Sequence, residues 1–337
     1  MQKHTPANAP LTDLLGRTHT SLRISVTDRC NIRCFYCMPE KGVVFRPHDE
    51  ILTFEEICRF VRAVLQVGVN KFRITGGEPL VRSNLPELVK QLNQMPGVAD
   101  LALTTNGILL RDQAAALHAA GLRRLNISLD TLREEMFQKI TRREGLDRVL
   151  DGIAAAQTCG FEKIRLNAIA IRGFSEDDVV PLGRFAREQN LELRFIEFMP
   201  LDADGAWKSD DVLTGAMLRQ LLEAAFGRLE PVPRTDPAQP AVDYQFADGG
   251  GRIGFINPVS TPFCSTCNRL RITAEGQVRN CLFSTAEWDA RAKLRQGASG
   301  VELIQLVREC VAAKAPAHGI GTSEFVRPER AMYQIGG

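Results

Sequence analysis

The chain has 337 residues, 44% hydrophobic, 24% charged and 7% aromatic, with 42 basic residues against 40 acidic ones. That length bounds it to one or two domains with ample material for a core, and a formal charge of +2 excludes a global field that would draw nucleic acid or a membrane surface. No apolar run reaches the roughly 18 residues of a spanning helix, and the opening MQKHTPANAP lacks a secretory apolar stretch, so a cytoplasmic protein is expected.

From Leu22 to about Met199, short β-rich runs alternate with longer helical patterns, the rhythm of a parallel sheet or barrel. Strands are expected at 22–26, 71–75, 100–105, 125–129, 163–170 and 191–198. Helices are expected between them at about 54–67, 84–94, 111–120, 131–159 (broken near Gly145) and 176–189, with Thr53 and Ser175 as caps. After about residue 200 the pattern changes: a helix at 214–226, a link with Pro231, Pro233, Pro237 and Pro240, β-like runs at 242–247 and 252–257, a helix near 299–315, and a tail ending in Gly336-Gly337. The division is therefore an extension at 1–21, a barrel part at 22–225 and a C-terminal part at 226–337. Ligands of such sheets gather at the carboxyl ends of the strands, and the conspicuous motifs fall there.

Nine cysteines, an odd number without a secretory signal, argue for metal binding or buried thiols over disulfides. Cys58, Cys159 and Cys310 stand alone in helical, largely apolar stretches and read as core thiols. Cys30, Cys34 and Cys37 follow the first strand as C-x3-C-x2-C. Structural zinc closes its shell with four ligands, whereas three thiolates on a four-iron cluster leave one iron free to chelate the methionine end of S-adenosylmethionine. Cluster potentials reach about −700 mV, low enough for reductive cleavage to a 5′-deoxyadenosyl radical. Zinc would need a fourth ligand, and the nearest histidine, His48, lies beyond Pro39 and Pro47. The partner motif is Thr75-Gly76-Gly77-Glu78-Pro79, whose glycines admit a ligand close to the backbone and whose Glu78 can accept from an amino group.

Cys264, Cys267 and Cys281 give a second triplet, C-x2-C-x13-C. It fits a second open-iron cluster that binds substrate, or a zinc site completed by Cys310 or His318. Beside it, Arg269 and Arg271 lie on one face of a strand, and Arg23, Lys71, Arg73, Arg165 and Arg194 alternate along the barrel strands. Unpaired charge inside a barrel is costly, so these residues either meet an anionic ligand such as a polyphosphate or pair with Glu192, Glu197 or Asp130.

Taken together, Leu22-Arg23-Ile24-Ser25-Val26-Thr27-Asp28-Arg29-Cys30-Asn31, the glycine loop, Arg194-Phe195-Ile196-Glu197-Phe198-Met199-Pro200, the second cysteines and the terminal Gly-Gly make the chain resemble, over nearly its full length, the MoaA family of radical GTP 3′,8-cyclases of molybdenum-cofactor biosynthesis. The resemblance implies an α/β fold, an incomplete (β/α)6 barrel of the radical SAM superfamily, with a C-terminal iron–sulfur segment closing it. It implies two [4Fe-4S] clusters, on Cys30, Cys34 and Cys37 and on Cys264, Cys267 and Cys281, each with an open iron. Tyr36, Gly77, Ser128 and Met199 would help bind S-adenosylmethionine. Guanine would sit on the second cluster, with Arg73, Thr104, Arg165 and Arg269-Leu270-Arg271 contacting GTP and Lys71 and Arg194 assisting with its triphosphate. Arg23 would lie at the reacting centre, and Gly336 and Gly337 would enter the pocket and assist catalysis. A homodimer, a reductant such as flavodoxin or ferredoxin, and handover of product to cyclic pyranopterin monophosphate synthase are also implied. One departure is Arg165 before Asn167, where the family carries lysine: a planar fork replaces a point charge. Two other readings remain open, a radical enzyme of another kind whose second cluster relays electrons or binds a peptide, and a non-enzymatic iron–sulfur or zinc scaffold.

Overall fold

The computed structural model describes residues 9–336, so residues 1–8 of the extension and Gly337 of the tail lie outside the described residues. The β/α rhythm is realised in order: β1 (Ser21–Ser25), α1 (Phe54–Leu65), β2 (Lys71–Thr75), α2 (Leu85–Asn93), β3 (Asp100–Thr105), α3 (Leu110–Ala119), β4 (Arg124–Ser128), α4 (Glu134–Thr141), α5 (Leu146–Thr158), β5 (Lys163–Ala170), α6 (Glu176–Glu188) and β6 (Glu192–Glu197). These six strands pair consecutively and in parallel, the arrangement of a partial (β/α) barrel.

Strand periodicity sorts the side chains. On β1 and β2, Leu22, Ile24, Phe72 and Ile74 are buried in the core, while Arg23 and Arg73 line the lumen. Outside, Thr53 and Glu56 form a capping box that starts α1. That helix buries Ile57, Phe60, Val61 and Val64, each such side chain stabilising the fold by about 1.5–3 kcal/mol. The expected helix at 131–159 divides into α4 and α5 at Gly145, whose φ of +125° favours glycine. Ser175 precedes α6 but does not cap it. Its hydroxyl instead donates to the Ile169 carbonyl (3.2 Å) and accepts from the Ile171 N–H (3.0 Å), tying down the exit of β5.

The chain then adds α7 (Gly215–Phe226), β7 (Leu229–Pro231), β8 (Val242–Phe246), β9 (Arg252–Ile256), β10 (Arg269–Ile272), β11 (Gln277–Arg279), β12 (Trp288–Asp289), α8 (Ala290–Arg295), α9 (Gly300–Ala312) and α10 (Met332–Ile335). β9 joins β6 in parallel with β8 and β7 antiparallel beyond it, and β10 joins β1 in parallel with β11 and β12 antiparallel beyond it. The C-terminal segment thus extends the sheet at both edges, and among the described residues no strand pairing closes the ring. It covers the lumen with loops and side chains instead. Leu229, Phe246, Leu270 and Val307 share one continuous core with Leu22 and Leu103. Cys58 and Cys310 are buried in it, and Cys159 packs half-buried against it. Among the described residues no helix is long and apolar enough to cross a membrane.

Candidate active site

Both cysteine triplets line one cavity of about 930 Å³, and the strand registers place them at opposite ends of it. Cys30, Cys34 and Cys37 follow the carboxyl end of β1. Cys264 and Cys267 precede β10, which runs parallel to β1 with Arg269 opposite Ser21, so they lie at the amino end. β11 returns antiparallel with Arg279 opposite Arg271, bringing Cys281 back to that same end. Only the first triplet occupies the carboxyl-end position expected of a parallel sheet.

The first triplet is shaped by its own backbone. Cys37 and Met38 N–H groups both donate to the Cys34 carbonyl (2.9 Å each), a turn that holds Cys34 and Cys37 together. The Arg33 guanidinium donates to the Cys30 carbonyl (2.7 Å), and Asn106 Nδ2 approaches Cys30 Sγ (3.7 Å). Burial, with Glu78 nearby, pushes the Cys30 thiol up to about 11. Burial also holds Cys34 and Cys37 above the usual thiol range, Cys34 with Asp130 beside it and Cys37 with Cys30.

The glycine loop is stitched to this cysteine loop. Gly77 N–H donates to the Thr27 carbonyl (2.7 Å) and Glu78 N–H to the Arg29 carbonyl (2.8 Å). A Cβ on Gly76 would fall 2.6 Å from the Thr27 oxygen, and one on Gly77 2.8 Å from the Asp28 oxygen, so neither position has room for a side chain. Glu78 lines the cavity and ties the loop to the neighbouring strand. Its carboxylate accepts from Leu80 N–H (3.0 Å), Thr105 Oγ1 (2.7 Å) and Asn106 N–H (2.6 Å), locking the ends of β2 and β3 together. Burial pushes it up to about 7. Tyr36, Gly77, Ser128 and Met199 all line the cavity, and Tyr36 donates to Asp130 (2.6 Å), which burial pushes up to about 6.

At the second triplet both zinc candidates for a fourth ligand are engaged elsewhere. Cys310 is fully buried in the core on α9. The His318 ring lines the cavity, but Nε2 lies 2.9 Å from the Pro258 carbonyl and Nδ1 accepts from Ile320 N–H (3.1 Å). Burial works to raise Cys267, yet Arg269 and Lys314 outweigh it and bring the thiol down to about 6; Cys264 is raised by burial.

The basic residues separate into two groups. Lys71 pairs with Asp236 (2.6 Å), Arg165 with Glu192 (2.6 Å) and Arg194 with Asp243 (3.2 Å). Asp236 belongs to the proline-rich stretch, which lines the cavity and is not a mere link, and Asp243 to β8 just beyond it; composition gave no sign of either role. By contrast Arg271, Arg23 and Arg73 stand side by side at register positions of β10, β1 and β2. Among the described residues no carboxylate pairs with them, and burial holds Arg23 and Arg271 below the usual guanidinium range, with repulsion from Arg271 and Arg269 adding to it at Arg23 and repulsion from Arg269 at Arg271. Thr104 adds a buried, unpartnered Oγ1 on the same lining. Leu270 turns its side chain into the core, so only its backbone is available to a ligand. Gly336, with φ of +84°, lies against β1 and β2: a Cβ there would be 3.0 Å from Ser25 Cβ and 3.1 Å from Thr75 Cγ2. Its carbonyl accepts a hydrogen bond from Arg271.

Two family models match the chain, the Radical SAM superfamily over residues 24–186 and Molybdenum Cofactor Synthesis C over 191–320. A curated GTP 3′,8-cyclase of Rhodopirellula baltica is 54% identical over 330 residues, covering 97% of this chain and 92% of that protein. One of Pelotomaculum thermopropionicum is 45% identical over 325 residues, covering 96% and 99%. The chain belongs to the GTP 3′,8-cyclase family. The fold of this cyclase-family member is shared with Streptococcus suis SuiB bound to S-adenosylmethionine (TM-score 0.58, 16% identity, 84% of this chain and 64% of that one). It is also shared with anSMEcpe with bound AdoMet (TM-score 0.57, 16% identity, 93% of each).

As a radical SAM protein this cyclase-family chain takes a four-iron cluster and S-adenosylmethionine, and the first triplet fits them: three thiols at a cavity wall beside the glycine loop, which lines the same cavity. Among the described residues no three Cys, His, Asp or Glu side chains are placed to hold a single metal ion.

Proposed function

We propose that this chain is a cytoplasmic GTP 3′,8-cyclase with a barrel part at 22–225, a C-terminal part at 226–337 and a four-iron cluster on each cysteine triplet. The observation that carries the reading is the single cavity with thiol triads at both ends and, at mid-strand between them, Arg271, Arg23 and Arg73 lacking carboxylate partners. A buried cationic row of that kind calls for a polyanion.

Cys30, Cys34 and Cys37 would hold the first cluster, which would supply the electron that cleaves S-adenosylmethionine to methionine and a 5′-deoxyadenosyl radical. The resulting 5′-deoxyadenosyl radical takes the ribose 3′ hydrogen of GTP, C3′ bonds to guanine C8, and one electron and one proton complete 3′,8-cyclo-7,8-dihydroguanosine 5′-triphosphate. In this reading Tyr36, Gly77, Ser128 and Met199 orient S-adenosylmethionine. Arg23, Arg73, Thr104, Arg165, Arg269, Arg271 and the Leu270 backbone hold GTP. Lys71 and Arg194, already paired with Asp236 and Asp243, exchange those partners for phosphate oxygens. The two terminal glycines assist at the reacting centre, Gly336 through its carbonyl, which accepts from Arg271. Assembly as a homodimer, reduction by a flavodoxin or ferredoxin and delivery of product to cyclic pyranopterin monophosphate synthase complete the proposal.

Anaerobic reconstitution tests it. The reading predicts about eight irons per chain and, with S-adenosylmethionine, GTP and reductant, both 5′-deoxyadenosine and cyclised GTP. About four irons plus zinc, or deoxyadenosine without any cyclised product, would contradict it. Removal of Gly336 and Gly337 with unchanged turnover would rule out a role for the tail.

A further inference from the structure

The second triplet is backed by a cation that neither the motif nor the substrate reading uses. Lys314 is 7% exposed, just past the end of α9. Its Nζ lies 3.1 Å from the Arg269 carbonyl, 3.4 Å from the Cys267 carbonyl and 3.5 Å from Cys267 Sγ. An ammonium has three protons to donate, and these are its three acceptors. The thiols of Cys267 and Cys281 and the cations of Arg269 and Arg17 act on it electrostatically, and among the described residues no carboxylate is paired with it. A buried ammonium is costly unless its protons find acceptors, and the acceptors here are two carbonyls and the Cys267 sulfur.

Behind Lys314 the N-terminal loop fixes the geometry. Arg17 donates to the Cys264 carbonyl (2.9 Å) and to the carbonyls of Ala315 (2.9 Å), Pro316 (3.2 Å) and Lys314 (3.4 Å). It is anchored in turn by Asp13 (2.5 Å), with His19 at 3.3 Å from the same carboxylate oxygen. One loop therefore ties Cys264 to the segment carrying Lys314, and Lys314 ties Cys267 to β10.

We propose that Lys314 is a positioning residue for the second triplet, orienting Cys267 and supplying the cation that offsets the negative charge of the group bound there. This rests on the reading that the triplet carries a four-iron cluster. Outer-shell donors to a ligating sulfur steady the metal site, and a positive charge or hydrogen bond at the sulfur raises a cluster's reduction potential.

The test uses full-length protein with Cys30, Cys34 and Cys37 changed to Ala, reconstituted anaerobically so that all cluster iron belongs to the second triplet. Iron loss to a chelator and the midpoint potential, followed by electron paramagnetic resonance, are compared with those of the same protein carrying Lys314→Met or Lys314→Arg. Lys314→Met is expected to lose iron about 10- to 100-fold faster and to shift the potential downward, with Lys314→Arg recovering most of both. If Lys314→Met matches its parent in rate and potential, the inference is overturned. So it is if Met and Arg lose iron equally with no change in potential, which would mark a packing role. A parent without iron would bring down the two-cluster reading itself and this inference with it, an outcome distinct from a cluster present but insensitive to Lys314.

Discussion

The two triplets offer the same three thiols in opposite electrostatic settings. Around Cys30, Cys34 and Cys37 the strongest charged neighbours are Glu78 and Asp130, and every thiol is raised by burial. Around Cys264, Cys267 and Cys281 stand Arg269, Arg271 and Lys314, and Cys267 falls to about 6 despite burial. An anionic pocket suits a cationic partner, and S-adenosylmethionine carries a sulfonium and an ammonium. A cationic pocket suits a polyphosphate. The difference teaches that ligand count sets what each site can hold, while the second layer of charge decides which substrate it faces.

The largest effect should come from separating the two triplets. Cys34→Ala is expected to abolish 5′-deoxyadenosine formation altogether. Cys267→Ala should leave that step measurable in reduced protein while removing cyclised product. Equal loss of both products in the two variants would erase the division of labour.

A smaller effect should distinguish the cations without a carboxylate partner among the described residues from the paired ones. Each charge-assisted hydrogen bond contributes about 1.5–3 kcal/mol, so Arg73→Ala should raise the KM for GTP about 10- to 100-fold. Lys71→Ala should raise it only a few-fold, because Lys71 is already paired with Asp236 at a half-exposed position. Steady-state kinetics decide, and a larger effect at Lys71 would reverse the assignment.

The smallest effect concerns stability behind the second site alone. Burial first, and then Lys314, holds His19 down to about 4 from an ordinary 6.5. The unfolded chain therefore takes up a proton that the fold resists, and this contribution is complete above about pH 6.5 and lost as the pH falls through about 4. Between pH 7 and 5 His19 should cost the metal-free protein on the order of 1–2 kcal/mol, opposed by the raised carboxyls of Glu78 and Asp130, so a pH slope of about that size in urea denaturation should separate the parent from His19→Gln. An identical slope in the variant would exclude His19 as its source.

Much of this was legible in the chain. The strands from Leu22 to Glu197 announce themselves because apolar residues facing the helices alternate with polar ones facing the lumen, as in Lys71-Phe72-Arg73-Ile74-Thr75. The first triplet was legible for the same local reason, its spacing alone specifying the turn. The position of the second was not, since it depends on β10 pairing with β1 across 248 positions, Ser21 with Arg269, and no local pattern encodes a parallel partner so remote. Asp236, Asp243 and Lys314 escaped notice likewise, each gaining its role from a residue far along the chain. Ser175 was misread because a hydroxyl before a helix looks like a cap whether or not a strand end claims it.

The central claim, that S-adenosylmethionine belongs to the first triplet and GTP to the second, is tested most directly by hyperfine spectroscopy with 15N-labelled GTP. Two single-cluster proteins are needed, one with Cys30, Cys34 and Cys37 changed to Ala and the other with Cys264, Cys267 and Cys281 changed to Ala. The account predicts a 15N coupling to the cluster in the first protein and none in the second. A coupling only in the second, or in neither, would contradict it.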